Sequence, residues 1–453
     1  MKTNNKIRRR LGAAGTIAVG FVLLILLGAL ILMLPISTED GTGEAPLVCL
    51  FTATSASCVT GLVLVDTATN WSAFGEGVIL CLIQIGGLGF MTVAMMLSLL
   101  VKRTISPKER QIAAQSFNLS SYGGIVRLSK RIICGTLIFE LAGAVALALR
   151  FIPMFGLKDG AWKSVFTSVS AFCNAGFDLM GKKTGPFSSL EGFYSDPVIN
   201  ITVMALIIVG GIGFVVWDDL YKLIKEKKKL SVYTKIVLSA TVLLLLFGAV
   251  SFAFFEWNNE ATIGNMGTQD KVLAALFQSV TARTAGFNTV NLSGMASASK
   301  LVFILLMFIG GCSGSTAGGV KVGTFAIVFV SVLHVLKGRA DVVMFRRRIA
   351  ENNVLRAFAI IVLQFCVTII GGVIIMSCGA GVMDSMFEAF SASGTVGVSL
   401  SLTASMNLAG KITTMLLMYF GRVGILTVSY AIMSRLTESK KEFKNAEANV
   451  MVG

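Results

Sequence analysis

The sequence contains few charged residues, which make up only 14% of its 453 positions. Soluble globular chains carry about 25% Asp, Glu, Lys and Arg. The composition is instead 55% hydrophobic. Several apolar runs reach the roughly 20 residues that a helix needs to cross a bilayer. The shortage of charge therefore excludes a soluble domain and indicates an integral membrane protein.

Residue types that bind metals or act in catalysis are equally scarce. His334 is the single histidine, and it lies where an apolar run ends, so we expect an interfacial side chain. The eight cysteines show no CxxC spacing and lie in or near apolar runs. This placement favours small buried residues over disulfides or metal ligands. Without a nucleophile–base pair or a cofactor-binding loop, the sequence predicts a protein that is not an enzyme and has no cofactor of its own.

One short motif occurs four times along the chain. It begins with Phe, has Ser or Thr and then Ala four and five positions later, and ends in Gly after a run of small residues. Its copies recur at intervals of about 110 residues, which is typical of repeated copies of one structural unit. They are FTATSASCVTG at 51–61, FTSVSAFCNAG at 166–176, FQSVTARTAG at 277–286 and FEAFSASGTVG at 387–397.

The apolar runs around each motif follow one order: a long run, a short run that ends in the motif, a polar stretch and a second long run. The short runs cannot cross a bilayer, so we expect re-entrant helices followed by glycine-bearing loops. The sequence thus predicts an all-α membrane protein of four tandem span–pore-helix–filter-loop–span repeats, with eight transmembrane helices around one central, pseudo-fourfold pore. The predicted spans are 11–34, 78–101, 132–155, 198–216, 236–255, 301–336, 357–378 and 412–433.

The boundaries of the repeats follow from this order of runs. We predict repeat 1 at 1–110, repeat 2 at 111–230, repeat 3 at 231–345 with an intramembrane gating loop at 310–320, and repeat 4 at 346–453 with a cytoplasmic C-terminal tail. Most of the 39 Lys and Arg residues lie at the N-terminus, between the predicted repeats or spans on one side, and in the tail. The positive-inside rule places this basic side and both termini in the cytoplasm. The net charge of +15 therefore orients the chain and is available to acidic lipids or a partner, rather than to nucleic acid.

The loop after each short helix contains the predicted selectivity filter. Turning consecutive carbonyls toward one axis needs φ values that glycine adopts cheaply. A ring of such carbonyls replaces the hydration shell of a monovalent cation. The side chains of the four runs share no chemistry and form no ring of carboxylates, so we expect backbone carbonyls to bind K+; simple loop breaking by glycine is the alternative. The predicted filter residues are Val59, Thr60, Gly61, Asn174, Ala175, Gly176, Thr284, Ala285, Gly286, Thr395, Val396 and Gly397.

The second long run of each unit contains a glycine-rich motif. The first two copies, IGGLGF at 85–90 and VGGIGF at 209–214, are explained by close helix packing through small residues. The third copy would be costly as a helix, at about 1 kcal/mol per glycine relative to alanine. We expect it to join two half-helices as a flexible loop that obstructs permeation, with a static kink as the alternative. The predicted gate residues in this copy are Gly310, Gly311, Cys312, Ser313, Gly314, Ser315, Thr316, Ala317, Gly318, Gly319 and Lys321.

The fourth copy places Arg422 where the other copies have their second glycine. An arginine within the membrane is costly and usually faces a cavity or a partner. We expect Arg422 to face the pore as part of the gate, to repel cations and to hold the glycine loop by hydrogen bonds. A purely structural anchor to carbonyls is the alternative. Lys321 adds a second positive charge near the same path.

With its four filter glycines, its SGSTAGGVK loop and the arginine of its last span, the chain resembles the Trk/Ktr/HKT superfamily of cation transporters. Within it, the chain is most similar to the eight-span membrane subunits of bacterial Ktr potassium uptake systems. The resemblance implies a K+-selective subunit of the bacterial cell membrane, with the four glycines in the filter and the gate at 310–319 and Arg422. Gly61 favours K+, because relatives that pass Na+ often have serine there. The third filter run is one residue shorter, and the family suggests no role for Arg283 beside it.

The same resemblance implies a homodimer with one pore per subunit. It also implies a cytosolic, KtrA-like ring of RCK regulatory subunits that binds ATP or ADP, and Na+ as a candidate activator. Two alternatives remain open: a Na+-permeable or poorly selective transporter of the same superfamily, and a carrier for an organic solute. Carriers usually have inverted repeats and paired polar residues at mid-membrane. Here the repeats share one orientation and the spans are poor in acids, with Glu140 as the main exception.

Overall fold

A computed structural model describes residues 12–100, 106–116, 124–339, 341–425 and 427–429 of the chain. The basic N-terminal segment at 1–10 and the predicted cytoplasmic tail lie outside the described residues. The described part is mainly helical, and two short strands, β1 (Val343–Met344) and β2 (Arg347–Arg348), form an antiparallel hairpin.

The helices follow the order of apolar runs in the sequence. Short 3-10 turns lie between them at Pro35–Ser37, Glu191–Phe193, Leu292–Gly294 and Thr403–Ser405. In chain order the α-helices are α1 (Ala13–Leu32), α2 (Pro46–Cys58), α3 (Thr67–Asn70), α4 (Ala73–Leu88), α5 (Phe90–Leu100), α6 (Pro107–Ser116), α7 (Ile125–Phe155), α8 (Leu157–Cys173), α9 (Gly181–Thr184), α10 (Pro197–Gly211), α11 (Phe214–Glu226), α12 (Val232–Glu256), α13 (Thr268–Thr281), α14 (Ser297–Phe308), α15 (Val322–Leu336), α16 (Glu351–Met376), α17 (Val382–Gly394) and α18 (Leu408–Val423).

The first helix of each predicted repeat is long and apolar. Within the described ranges, α1, α7, α12 and α16 are each long and apolar enough to cross a bilayer, and the bent pair α10 and α11 would make a fifth span. The four single helices each cover most or all of the first span predicted for their repeat. The full arrangement of eight spans, and the repeat boundaries, stay predictions.

The short helix of each repeat leads into the filter motif. These helices are α2, α8, α13 and α17, with 13, 17, 14 and 13 residues, which is less than the roughly 20 residues of a span. The phenylalanine that begins each motif has no exposed surface, so it anchors its helix in the protein interior. These anchors are Phe51, Phe166, Phe277 and Phe387.

The second span of each repeat is interrupted. Gly89, with a φ of +78°, separates α4 from α5, and Gly213, with a φ of +95°, separates α10 from α11, which meet at a bend of 95°. A single helix through either segment is therefore wrong, because a residue at positive φ ends an α-helix. In the third repeat, residues 309–321 separate α14 from α15, as the glycine run there predicted.

The helices pack in a closed cycle. Within the repeats, the first long helix packs on the short helix: α1 on α2, α7 on α8, α12 on α13 and α16 on α17. The helix after the motif packs on the short helix of the next repeat: α4 on α8, α10 on α13 and α14 on α17, while α18 returns to α2. This cycle brings the C-terminal ends of the four short helices to one centre.

Candidate functional site

The four motif glycines lie side by side in cyclic order. A Cβ on Gly61 would lie 3.2 Å from the Cα of Gly176, and one on Gly176 would lie 2.7 Å from the Cα of Gly286. A Cβ on Gly286 would lie 3.5 Å from the Cα of Gly397. One on Gly397 would lie 3.0 Å from the Cα of Gly61, which closes the ring. The structure thus brings all four predicted filter loops together.

The carbonyl oxygen before each glycine lies against the glycine of a neighbouring run. A side chain at Gly61, for example, would place its Cβ 2.5 Å from the Ala175 carbonyl oxygen. All four glycines also have positive φ, between +71° and +96°. Space and backbone conformation therefore both require glycine, and the carbonyl oxygens form a ring. The neighbouring pairs are Gly61 with Ala175, Gly176 with Ala285, Gly286 with Val396 and Gly397 with Thr60.

A hydroxyl residue in each short helix holds the filter run that follows it. The Ser55 carbonyl accepts a hydrogen bond from the Thr60 amide at 2.8 Å, and its Oγ accepts one from the Gly61 amide at 3.0 Å. The sequence motif contained this position in every copy, but its role became visible only in the structure. The equivalent residues, whose carbonyls also accept from their filter runs, are Ser170, Thr281 and Ser391.

The turn before each filter glycine contains a residue other than glycine in the left-handed conformation. The φ values lie between +51° and +69°. Such a conformation costs about 1–3 kcal/mol per residue and is typically found at functional sites. The local hydrogen bonds and the packed helix ends maintain it here. The four residues are Val59, Asn174, Thr284 and Thr395.

A cavity of about 300 Å3 lies on one side of the glycine ring. All four filter glycines line it, together with Asp66, Asp178 and Glu191, and no described Lys or Arg does. Burial raises the pKa of Asp178 to about 6, and burial also raises the pKa of Glu191. With a pKa of about 6, most Asp178 is ionised at pH 7, so this mouth carries negative charge and attracts cations.

A second cavity of about 330 Å3 lies on the other side of the predicted gate. Gly87, Gly319, Lys321, Gln364 and Arg422 are among the residues that line it. The 309–321 segment, which we call the gate loop, therefore contributes Gly319 and Lys321 to this cavity. Its opposite face contacts the filter runs. The gate loop thus lies between the glycine ring and the second cavity.

Hydrogen bonds hold the gate loop on the filter side. The Thr316 Oγ1 donates to the Asn174 Oδ1 at 3.0 Å and contacts the Phe172 carbonyl at 3.2 Å. The Tyr233 hydroxyl of α12 donates to the Ser313 carbonyl at 3.1 Å. The loop is therefore attached both to the second filter run and to a long helix of its own repeat.

Arg422 connects the gate loop to two other repeats. Its Nη1 donates to the Thr316 carbonyl, and its Nη2 donates to the Gly86 carbonyl and, at 2.8 Å, to the Gly87 carbonyl. Lys321 Nζ donates to the Ala317 carbonyl at 2.7 Å. Arg422 thus makes both kinds of contact that the sequence suggested, with the loop and with helix-end carbonyls.

The third repeat differs from the others where the helix after its motif meets its filter. In the other repeats the first glycine of the glycine-rich motif in the second long run packs against a carbonyl in the last turn of the short helix. The pairs are Gly86 with Ser57, Gly210 with Phe172 and Gly421 with Ser393. These contacts confirm close packing through small residues. Gly310 instead packs on Gly318 of its own loop. In the third repeat this glycine therefore does not pack against the short helix.

A helical membrane protein with four filter-type loops around one centre and a cavity on each side of them is a multi-pass membrane transport protein. Residues 14–444 match the family described as TrkH, cation transport protein, and the chain belongs to this family.

Similar proteins span nearly the whole chain. The chain is 38% identical to the potassium/sodium uptake protein NtpJ of Enterococcus hirae, over 99% of both chains. It is also 38% identical to the Ktr system potassium uptake protein B of Bacillus subtilis, over 92% of both chains. The crystal structure of the potassium transporter TrkH from Vibrio parahaemolyticus has a TM-score of 0.69 and 17% identity, and the match covers 91% of this chain and 82% of that one. At this identity the match shows a common fold.

Proposed function

We propose that the chain is the K+-selective, pore-forming subunit of a potassium uptake system. Ions would pass from the acidic cavity through the glycine ring and, when the gate loop moves, into the second cavity. The closed ring of glycines and adjoining carbonyl oxygens is the observation on which this proposal rests. Such a ring replaces the water around a monovalent cation. The names of the relatives, which include potassium uptake proteins, support the same substrate.

The gate loop and Arg422 supply the control of this path. The loop lies between the two cavities, and the guanidinium and the Lys321 ammonium place positive charge beside the second one. Positive charge in a low-dielectric passage opposes the entry of a cation. Opening therefore requires the loop and its hydrogen-bonded partners to move apart.

We place the protein in the bacterial cell membrane, with eight crossings and both termini in the cytoplasm. The interrupted second spans would each supply one crossing, and the basic segments would all lie on the cytoplasmic side. The name of the Bacillus relative, a Ktr system potassium uptake protein, supports membership of a multi-component uptake system. We propose that the chain forms a homodimer in such a system and is controlled by a KtrA-like cytosolic ring that binds ATP or ADP. Stimulation by Na+ belongs to the same proposal and needs its own test.

Potassium uptake by a transport-deficient cell tests the proposal. Cells that express the chain with a Ktr-type regulatory partner should take up K+ and Rb+ and grow at low K+. Gly286→Ala should lower K+ uptake, because a Cβ there would lie 2.8 Å from the Val396 carbonyl oxygen. Gly77→Ala is the control, since nothing lies within 4 Å of a Cβ at Gly77. A correctly inserted protein that takes up no K+ with its partner would contradict the proposal.

The second candidate function is Na+-permeable or poorly selective uptake by the same path. The name of the Enterococcus relative, which includes sodium, favours testing it. Competition between Rb+ and Na+ at equal concentrations separates the two functions. We expect Na+ to compete weakly, and equal competition would support the second candidate instead.

A further inference from the structure

Arg283 has no role in the glycine ring, although it immediately precedes the third filter run. Its side chain is buried, with only 8% of the residue exposed. The Nη1 donates to the Thr241 carbonyl at the long distance of 3.5 Å, and the Nε has no hydrogen-bond partner. In the described part of the chain no carboxylate forms an ion pair with it.

A small cavity adjoins this guanidinium. Its volume is about 20 Å3, and Arg283, Thr241, Asn174 and Gly311 are among the residues that line it. A cavity needs about 10–15 Å3 to hold one water-sized occupant. The Thr241 hydroxyl approaches the Cys312 thiol but has no partner with ordinary hydrogen-bond geometry. The cavity therefore has room for one small occupant and unsatisfied polar groups beside it.

The charges nearby do not balance that of Arg283. The other intramembrane cations of this region, Lys321 and Arg422, have the same sign. Glu140, a buried carboxyl of the second repeat, accepts a hydrogen bond from Gln84 Nε2 at 3.2 Å instead. A buried charge without a counter-charge is strongly destabilising even after relaxation. A water molecule would supply a dipole, whereas an anion would supply the missing charge.

We propose that Arg283 binds a small monovalent inorganic anion of halide size in this cavity, behind the third filter run. The anion accepts the hydrogen bond of the free Nε and neutralises the guanidinium. Asn174 of the second filter run and Gly311 of the gate loop border the same cavity. The bound anion therefore stabilises the contact between filter and closed loop. Binding itself does not depend on the proposed transport function.

Bromide is a suitable probe, because it scatters anomalously and substitutes for chloride. The purified full-length protein is compared in potassium bromide, potassium chloride and potassium gluconate at equal K+ concentration. We expect an anomalous peak beside the Arg283 Nε in bromide. We also expect a melting temperature that rises with halide concentration, as for any ligand that binds the folded state alone, and no such rise in gluconate.

The Arg283→Gln variant should lose both the peak and the halide-dependent rise, whereas Arg283→Lys should retain a weaker form of each. Arg346→Gln is the control, because Arg346 is an exposed arginine that should leave both signals unchanged. If Arg283→Gln fails to fold, the comparison of the wild-type protein in bromide and in gluconate still tests whether an anion binds. Density without anomalous signal in bromide would identify a water and overturn the proposal. Because these readouts do not involve transport, they leave the proposed function to its own test.

Discussion

Thr316 Oγ1 donates a hydrogen bond to Asn174 Oδ1 at 3.0 Å, and the two residues are 142 positions apart in the chain. The Nδ2 of the same Asn174 amide donates to the Thr284 Oγ1 at 3.4 Å. One side chain of the second filter run therefore contacts both the gate loop and the third filter run. Displacement of the loop breaks a bond to the residue that also supports the filter.

We expect Thr316→Val to increase ion flux without a regulatory partner. Valine preserves the shape of threonine but cannot donate to Asn174. Loss of one neutral hydrogen bond costs about 1 kcal/mol, which corresponds to a shift of roughly fivefold toward the open loop. The rate of Rb+ uptake into proteoliposomes measures the change. Thr413→Val, on a half-buried residue near the start of α18, is the control and should leave the rate unchanged.

The result would count against a gating role for this bond if Thr316→Val and Thr413→Val behaved alike. Both variants must first show the same insertion and the same elution as the wild-type protein. A lower rate in Thr316→Val alone would indicate that the bond supports the filter rather than the closed loop.

Arg422→Gln should increase flux more strongly than Thr316→Val. It removes hydrogen bonds from a charged donor to Thr316, Gly86 and Gly87, each worth about 1.5–3 kcal/mol. It also removes positive charge from the second cavity. We expect an increase of at least tenfold, since about 1.4 kcal/mol corresponds to a factor of ten. Rb+ uptake without the partner is the measurement.

Arg422→Lys separates the two effects of the arginine. Lysine retains the charge but has a single nitrogen in place of the planar fork whose Nη1 and Nη2 contact two different segments, so its flux should lie between those of the wild type and Arg422→Gln. Arg339→Gln, at an exposed position beyond α15, controls for the loss of a positive charge. An unchanged rate in a folded Arg422→Gln protein would remove the arginine from the gate.

Gly61→Ser should lower discrimination between K+ and Na+. The φ of Gly61 is +96°, and a Cβ would lie 2.5 Å from the Ala175 carbonyl oxygen. Serine there strains the backbone by about 1–3 kcal/mol and displaces a carbonyl of the ring. The ratio of Rb+ uptake to Na+ uptake should fall by about tenfold or more.

Gly77→Ser is the matched control for this substitution. Gly77 lies in α4 of the same repeat, and a Cβ there meets nothing within 4 Å. Its uptake ratio should equal that of the wild type. If Gly61→Ser also preserves the ratio, the first loop does not belong to the filter.

Deletion of residues 313–315 should raise flux in the absence of the partner. The parallel bridge between Ile309 and Val320 keeps the ends of the gate loop together, so a shorter loop can still connect α14 to α15. The deletion removes the carbonyl that Tyr233 contacts and shortens the segment that lies below the filter. Uptake by cells that lack the partner measures the effect, and monodisperse elution checks folding. Equal or lower flux from a folded protein would refute an obstructing role for the loop.

Much of the site follows from local sequence patterns. Hydrophobic runs and their lengths predicted the long helices α1, α7, α12 and α16, because burial in lipid depends on composition over about 20 residues. The need for glycine at Gly61 and its three equivalents followed from backbone conformation, which is a property of single residues. The positive φ observed at all four positions agrees with that reasoning.

Other features could not be derived from local patterns. The third glycine of the glycine-rich motif ends a helix at Gly89 and at Gly213, although the surrounding residues are apolar enough to continue it. Two such features are the contact of Thr316 with Asn174 and the burial of Arg283 without an ion pair among the described residues. Both depend on segments that are distant in the chain. No periodicity along the sequence encodes which of these segments meet.

The sequence by itself thus determined the long apolar helices and the four glycine-bearing loops that follow short helices, since hydropathy and glycine conformation act within a few residues. Only the tertiary structure decided that the loops close into one ring, that Arg422 donates a hydrogen bond to Thr316, and that the charged side chain of Arg283 borders a small cavity. Those outcomes depend on how the helices pack around one centre, because packing brings together backbone and side-chain groups that the chain order keeps apart.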